Sequence, residues 1–202
     1  MDAGTRSRID ALIAEGCEIF YDFDLTTRGK AFHPFIAADY TQVLDALLAI
    51  QRVAPAPLRP GAPTFLELGS ATGVITIMAD LLGFDAFGIE LDASLVAIAR
   101  QLATRYDSRA RFVAGSFLPA GYRWKPDTGD GRMGTIGSGP SAYLEMGRAL
   151  DDFDVVYAYP WAGEAPLMLD LIRRYGNPEA RLILMDAVTG PQITRNGRTL
   201  VA

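Results

Sequence analysis

The residues best suited to chemistry in this chain surround a single glycine turn. An apolar run leads into Glu67-Leu68-Gly69-Ser70-Ala71-Thr72-Gly73, and a second acid, Glu90, ends the next apolar run. Glycines between a strand and a helix let backbone N–H groups approach a ligand closely, because no side chain intervenes. An acid at the end of the following strand is typical of sites that hold a ribose. The pattern therefore predicts a site for a cofactor with an adenosine end.

The composition of the turn indicates which cofactor binds there. Dinucleotide sites favour three glycines as G-x-G-x-x-G, and the middle glycine makes room for a pyrophosphate. Here that position is Ala71, and Glu67 would repel a diphosphate but attract a ligand that carries an ammonium group. These features favour S-adenosylmethionine (SAM) over NAD. An NAD-dependent oxidoreductase stays an alternative interpretation.

Alternating strands and helices are predicted to position this turn. The predicted strands are 64–68, 86–90, 111–114, 153–159 and 181–187, and helices are predicted over 73–82, 93–106 and 164–175. Such alternation is typical of an α/β fold with a doubly wound, mainly parallel sheet and helices on both faces. The Asn196-Gly197 pair adds a short C-terminal hairpin, because both turn positions favour positive φ.

The chain is expected to form a single domain over residues 1–202. Half of the residues are hydrophobic and 21% are charged, as in ordinary globular proteins. Residues 1–53 carry helical apolar patterns and are predicted to form a helical N-terminal extension. Residues 121–141 are rich in glycine and are predicted to form a long loop able to contact a substrate. The glycine string at 129–134 is not a second cofactor turn, because no apolar strand leads into it.

Composition also disfavours several classes of partner. The formal net charge is −5, and Lys30 and Lys125 are the only lysines, so a nucleic-acid acceptor is disfavoured. One cysteine and one histidine, Cys17 and His33, cannot build a common zinc site, and no metal is predicted. Cys17 is expected to pack on the apolar side of a first helix over residues 5–20. Without a signal segment or a run long enough to span a membrane, the expected location is the cytoplasm. The oligomeric state is left open.

Glu67 and the glycine turn up to Gly73 resemble the first motif of the class I SAM-dependent methyltransferases, E/D-x-G-x-G/A-x-G, and Glu90 at the end of the next strand strengthens the match. The resemblance covers roughly residues 60–187. It implies that Glu90 holds both ribose hydroxyls and that Glu67 faces the amino-acid portion of SAM. The cofactor contacts predicted in this way are Glu67, Gly69, Ser70, Gly73, Glu90, Leu91, Ser116, Phe117 and Tyr157.

Two positions depart from the family's pattern. The third strand commonly runs into a Gly-Asp pair, and here Ser116 stands in place of the aspartate. Adenine recognition would then depend on the Ser116 hydroxyl, backbone groups and stacking by Phe117. At the end of the fourth strand, Tyr159-Pro160-Trp161 replaces the N/D-P-P segment of the amino-group methylases, so an amide-type nitrogen acceptor is doubtful. Aromatic rings at this place could instead flank the sulfonium.

The reaction that the resemblance implies is in-line transfer of the methyl group from SAM, with S-adenosylhomocysteine as product. The acceptor is predicted to be a small molecule or a protein side chain, and neither its identity nor the methylated atom type is specified by the sequence. Tyr159 and His33 are the candidate catalytic residues, since an acceptor that carries a proton needs a base. A binding module that retains the pocket without turnover is the main alternative, because the chain beyond the fifth strand is short.

Overall fold

The computed structural model describes residues 1–27, 36–53, 60–123, 139–161, 163–195 and 198–199. In chain order its helices are α1 (Ala3–Thr27), α2 (Tyr40–Val53), α3 (Val74–Leu81), α4 (Ala93–Arg105), α5 (Tyr143–Met146) and α6 (Ala165–Tyr175). Its strands are β1 (Thr64–Leu68), β2 (Asp85–Glu90), β3 (Arg111–Ala114), β4 (Val155–Ala158), β5 (Arg181–Asp186), β6 (Gly190–Arg195) and β7 (Arg198–Thr199), and a 3-10 turn lies at Leu150–Asp152.

These strands form one sheet in the order β3-β2-β1-β4-β5-β6-β7. The pairs from β3 to β5 are parallel, and β6 and β7 are antiparallel additions at one edge. Apolar residues of α1 to α4 cover one face of the sheet, while α6 and the residues around the 3-10 turn cover the other. The predicted doubly wound, mainly parallel sheet with helices on both faces is therefore confirmed.

The N-terminal extension consists of α1 and α2, and α1 is longer than the predicted helix over residues 5–20. Its buried stripe runs through Ile9, Leu12 and Gly16. A Cβ atom on Gly16 would lie 2.6 Å from Cγ2 of Val74. The backbone of α1 at Gly16 is therefore in contact with the Val74 side chain at the start of α3. The predicted packing of Cys17 is wrong, because the next position along the helix turns about 100° away from this stripe, and Cys17 is exposed.

The C-terminal part contains more antiparallel sheet than the sequence predicted. β6 and β7 pair as expected around Asn196-Gly197, which themselves lie outside the described residues. The hairpin between β5 and β6 was not predicted. It is closed by Asp186, whose Oδ1 accepts hydrogen bonds from the backbone N–H groups of Val188 (2.9 Å) and Thr189 (2.8 Å). A short side-chain cap of this kind stabilises a tight turn without an Asn-Gly signal.

Most of the predicted glycine-rich loop, residues 124–138, lies outside the described part of the chain, and so does the string at 129–134. The end of the loop is ordered by the backbone after β3. The N–H group of Ser116 donates to the carbonyl of Pro140, and that of Ala142 donates to the carbonyl of Ser116. Within the described ranges, no helix has the length and apolar character needed to cross a bilayer.

Candidate functional site

A cleft opens at the carboxyl ends of β1 to β4, where the crossover helix after β1 (α3) and the crossover helix after β4 (α6) lie on opposite faces of the sheet. Open α/β sheets bind ligands at this switch point. Four strand ends and the start of α2 contribute to the walls. The residues that line the cleft are Ile36, Ala38, Tyr40, Glu67–Thr72, Val74, Ile75, Glu90, Leu91, Gly115–Phe117, Tyr157 and Tyr159–Trp161.

The turn after β1 is folded tightly onto β2. The N–H groups of Gly69 and Ser70 both donate to the carbonyl of Ile89, at 2.9 Å each. Ala71 has φ 44°, a left-handed conformation that is unusual for a residue with a side chain. On β2, a Cβ atom at Gly88 would lie 2.7 Å from Cβ of Ser70. Gly88 therefore makes room for the turn, a role that a glycine inside a predicted strand can signal.

Gly73 ends the turn for a reason that the sequence did not reveal. A Cβ atom at this position would lie 2.7 Å from the ring of Phe112 and 2.8 Å from Cβ of Ala99, and φ is 81°. Because Gly73 has no side chain, the start of α3 can lie close to Phe112 on β3 and to Ala99 on α4. Gly73 is not among the residues that line the cleft, so its predicted contact with a cofactor has no support from its position.

Glu90 is held at the mouth of the cleft by backbone donors. Its Oε2 accepts from the N–H of Ala71 at 2.9 Å, and its Oε1 accepts from the N–H of Asp92 at 3.0 Å. Burial raises the pKa of the Glu90 carboxyl, and these bonds act in the opposite direction. The carboxylate thus joins the glycine turn to the start of α4, where the Asp92 side chain caps the helix.

Glu67 lies deeper in the same cleft and is only 3% exposed. Its Oε2 accepts two hydrogen bonds from Thr76, one from the backbone N–H (2.9 Å) and one from the hydroxyl (2.5 Å). Burial raises the pKa of Glu67 to about 8, although both bonds lower it. The sequence analysis did not single out Thr76. Its position as the third residue of the helix after the turn could have indicated a contact with Glu67.

Two tyrosines accompany Glu67. Tyr157 stands opposite it in the register of β1 and β4, and its buried hydroxyl has no hydrogen-bond partner among the described residues. Burial, followed by the charge of Glu67, raises the pKa of both Tyr157 and Tyr40. Tyr40 begins α2, and sequence reasoning did not single it out. The Ser70 hydroxyl is a second buried group that lacks a partner within the described ranges.

Ser116 and Phe117 form the opposite wall of the cleft, at the end of β3. The Ser116 hydroxyl accepts from the N–H of Leu118 at 3.1 Å, and Phe117 is buried. A Cβ atom at Gly139 would lie 2.8 Å from Cδ1 of Leu91. The chain that follows the glycine-rich segment therefore closes the rim beside the predicted adenine position.

The end of β4 provides the aromatic side of the cleft. Burial and the Asp186 carboxylate raise the pKa of Tyr159, so its hydroxyl is protonated at neutral pH. The backbone N–H of Trp161 donates to Oε2 of Glu164 at 3.2 Å, and the N–H of Glu164 donates to the Trp161 carbonyl at 3.0 Å. Glu164 thereby closes the turn before α6. His33, the other predicted catalytic residue, lies outside the described residues.

The structure brings together most of the residues predicted to contact a cofactor, and their contact with one stays a prediction. Those that line the cleft are Glu67, Gly69, Ser70, Glu90, Leu91, Ser116, Phe117 and Tyr157, and the predicted catalytic residue Tyr159 lies beside them.

Comparison with known sequences finds a partial match. No model of a protein family matches the sequence. A ribosomal protein L11 methyltransferase from Thermus thermophilus is 40% identical over 63 residues, which are 31% of this chain and 24% of that protein. The match thus spans about a quarter of that relative's length.

The chain is also similar to solved structures, and the first of them shows the fold. An RNA methyltransferase from Salinibacter ruber, in complex with S-adenosyl-L-homocysteine, superposes with a TM-score of 0.50 and 18% identity over 82% of this chain and 90% of that one. A precorrin-6y C5,15-methyltransferase from Geobacter metallireducens gives a TM-score of 0.47 and 15% identity over 80% and 71% of the two chains. The chain has the class I methyltransferase fold.

Proposed function

We propose that this chain binds SAM in the cleft at the ends of β1 to β4 and transfers its methyl group to an acceptor. The observation that carries the proposal is the arrangement of two acids around the glycine turn. Glu90 lies at the mouth, joined to the turn through Ala71, and Glu67 lies buried at the inner end. An adenosine with a cationic amino-acid chain matches this arrangement, because its ribose hydroxyls and its ammonium group can each meet a carboxylate.

The walls of the cleft fit the rest of the cofactor. The buried hydroxyls of Ser70 and Tyr157 have no partner within the described residues, and a bound ligand would satisfy them. We propose that Phe117 and the backbone around Ser116, which line the cleft, contact the adenine. Tyr157, which stands opposite Glu67, and Tyr159 both line the cleft. A positively charged sulfonium would be attracted to the faces of such rings.

SAM supplies the activated methyl group, and the chain's own residues would orient the acceptor and exclude water. Because the raised pKa of Tyr159 keeps its hydroxyl protonated at neutral pH, we assign Tyr159 to hydrogen bonding of the acceptor rather than to proton abstraction. If the acceptor loses a proton during transfer, His33 is the residue that we propose as base.

The proposed acceptor is a small molecule or a protein side chain. Among the described residues that line the cleft there are two acids, several aromatic rings and no lysine or arginine, and the net charge of the chain is −5. A phosphate backbone would find little to neutralise it there. The similarity to a methyltransferase of a ribosomal protein supports a protein acceptor. We place the reaction in the cytoplasm.

Isothermal titration calorimetry with S-adenosylhomocysteine tests the cofactor site. The unaltered chain should bind, and Glu90→Ala should bind about 10- to 100-fold more weakly, because hydrogen bonds to a charged group are worth about 1.5–3 kcal/mol. Glu90→Gln, which keeps the shape, should lie between the two. Glu145→Ala is the matched control, since this acid is exposed on α5 and does not line the cleft.

Three outcomes separate the candidate functions. No heat with S-adenosylhomocysteine, together with a fluorescence response to NADH, would replace the proposal with an oxidoreductase. Binding of SAM without transfer of a radiolabelled methyl group to small-molecule or protein fractions would indicate a binding module. Transfer to RNA in the same assay would correct the proposed acceptor class.

A further inference from the structure

Thr76 makes two hydrogen bonds to Glu67 that the geometry of α3 alone does not require. It is fully buried at the third position of α3, and its N–H and hydroxyl both donate to the same carboxylate oxygen. Gly73 precedes the helix and offers no side-chain cap. An acid from β1 therefore satisfies one of the free N–H groups in the first turn of α3, at the end where the helix dipole favours negative charge.

We propose that Thr76 is a positioning residue that favours the ionised form of Glu67 and directs its carboxyl at the ammonium group of the cofactor. This role rests on the function proposed above. The hydrogen bonds that described residues give to the carboxylate all go to Oε2, so Oε1 is the oxygen that a ligand can engage. With its rotation restricted by two donors, the carboxylate presents Oε1 in one orientation before the ligand arrives, which reduces the ordering cost of binding.

The surroundings of Glu67 make these two bonds necessary. Among the described residues, the titratable groups that face it are Tyr40 from α2, Tyr157 from β4 and Glu90 from the end of β2, and none of the three carries positive charge. Burial disfavours the carboxylate form, and the Thr76 bonds oppose that effect. Removal of the hydroxyl should therefore make the ionised form rarer at neutral pH and weaken the attraction for an ammonium group.

The test compares the pH dependence of ligand affinity in the unaltered chain and in two variants, Thr76→Val and Thr76→Ser. Affinity for S-adenosylhomocysteine should rise about tenfold per pH unit between pH 6 and 7.5 and level off near pH 8 in the unaltered chain, because one proton must leave Glu67. In Thr76→Val the affinity at pH 7 should fall about tenfold, as expected for the loss of a hydrogen bond to a charged group. The levelling should also move to higher pH, and Thr76→Ser should restore the original profile.

Two controls separate this role from general loss of structure. Thr64→Val removes a similar bond, from a buried threonine hydroxyl to the Asp154 carboxylate (2.8 Å), at the far end of β1. Its profile should match that of the unaltered chain. 5′-Methylthioadenosine lacks the ammonium group, so its affinity should not change in Thr76→Val.

The other outcomes distinguish failure of the proposed SAM site from failure of the proposed role of Thr76. If the unaltered chain does not bind S-adenosylhomocysteine, the proposed function fails and this role fails with it. If it binds, but Thr76→Val keeps the original profile or weakens both ligands equally at every pH, the role alone is overturned. Glu67→Gln removes the titrating group and must give a flat profile. A persistent pH dependence in that variant would overturn the role even if Thr76→Val proves too unstable to measure.

Discussion

The buried carboxyl of Glu67 should make the stability of the protein depend on pH in an unusual direction. Its pKa is about 8 in the folded chain against an ordinary value of 4.5. Between these values the folded state holds the proton more tightly than the unfolded state does. The contribution of Glu67 to stability is therefore complete below about pH 4.5 and is lost as the pH rises towards 8. Most acids that are paired in folded proteins show the opposite trend.

The size of this effect follows from the pKa difference. One pKa unit corresponds to about 1.36 kcal/mol, so the stability lost between pH 5 and pH 7 through Glu67 alone should be about 2–3 kcal/mol. Glu67→Gln removes the charge, and its amide oxygen can still accept both Thr76 bonds. The difference in free energy of unfolding between this variant and the unaltered chain should therefore increase by about 2–3 kcal/mol over that range.

Urea unfolding at pH 5, 6, 7 and 8, followed by circular dichroism, measures this difference. Groups that do not interact with Glu67 affect both proteins equally, so subtraction of the two curves leaves the effect of Glu67 together with its coupling to Glu90. Glu145→Gln provides the control, since it removes an exposed carboxylate from the surface of α5. Parallel curves for Glu67→Gln and the unaltered chain would refute the reasoning, because they would mean that Glu67 titrates alike in both states.

Two further predictions concern packing. Gly73→Ala should lower the free energy of unfolding by about 2–4 kcal/mol, because the added Cβ meets the Phe112 ring and the backbone is left-handed. Gly83→Ala is the control, since φ is 95° but nothing lies within 4 Å of the added Cβ, and it should lower the free energy of unfolding by only about 1 kcal/mol. Equal losses in urea unfolding would contradict the packing role. Exposed Cys17 should react with a thiol reagent in the native protein as fast as in urea, and protection until unfolding would show that its side chain is buried in the folded chain.

Much of the parallel sheet could be predicted from the sequence. β1 and β3 have the predicted bounds, β2, α4 and α6 differ from prediction by one residue at one end, and α3 differs by one residue at each end. These elements are short apolar runs separated by clear turn residues, and local composition is sufficient to identify them. The same local signals located the cleft, because the carboxyl ends of parallel strands meet at one edge of a sheet. Glu67 and Glu90 were therefore found together without knowledge of the fold.

Other features depend on contacts between distant segments. The sequence showed that Glu67 follows an apolar run, but not that Thr76 holds it or that Tyr157 stands beside it. It showed a glycine at position 73, but the reason for that glycine is the ring of Phe112 on another strand.

Long-range packing also explains why the predicted burial of Cys17 is wrong. Cys17 and Gly16 are adjacent in sequence, and only the direction in which α1 docks on α3 decides which of them is buried. The sequence by itself determined which residues form the turn and the strand ends, since those depend on local backbone preference. The tertiary structure alone decided the charge state and orientation of Glu67, because burial and hydrogen bonding are properties of its neighbours in space.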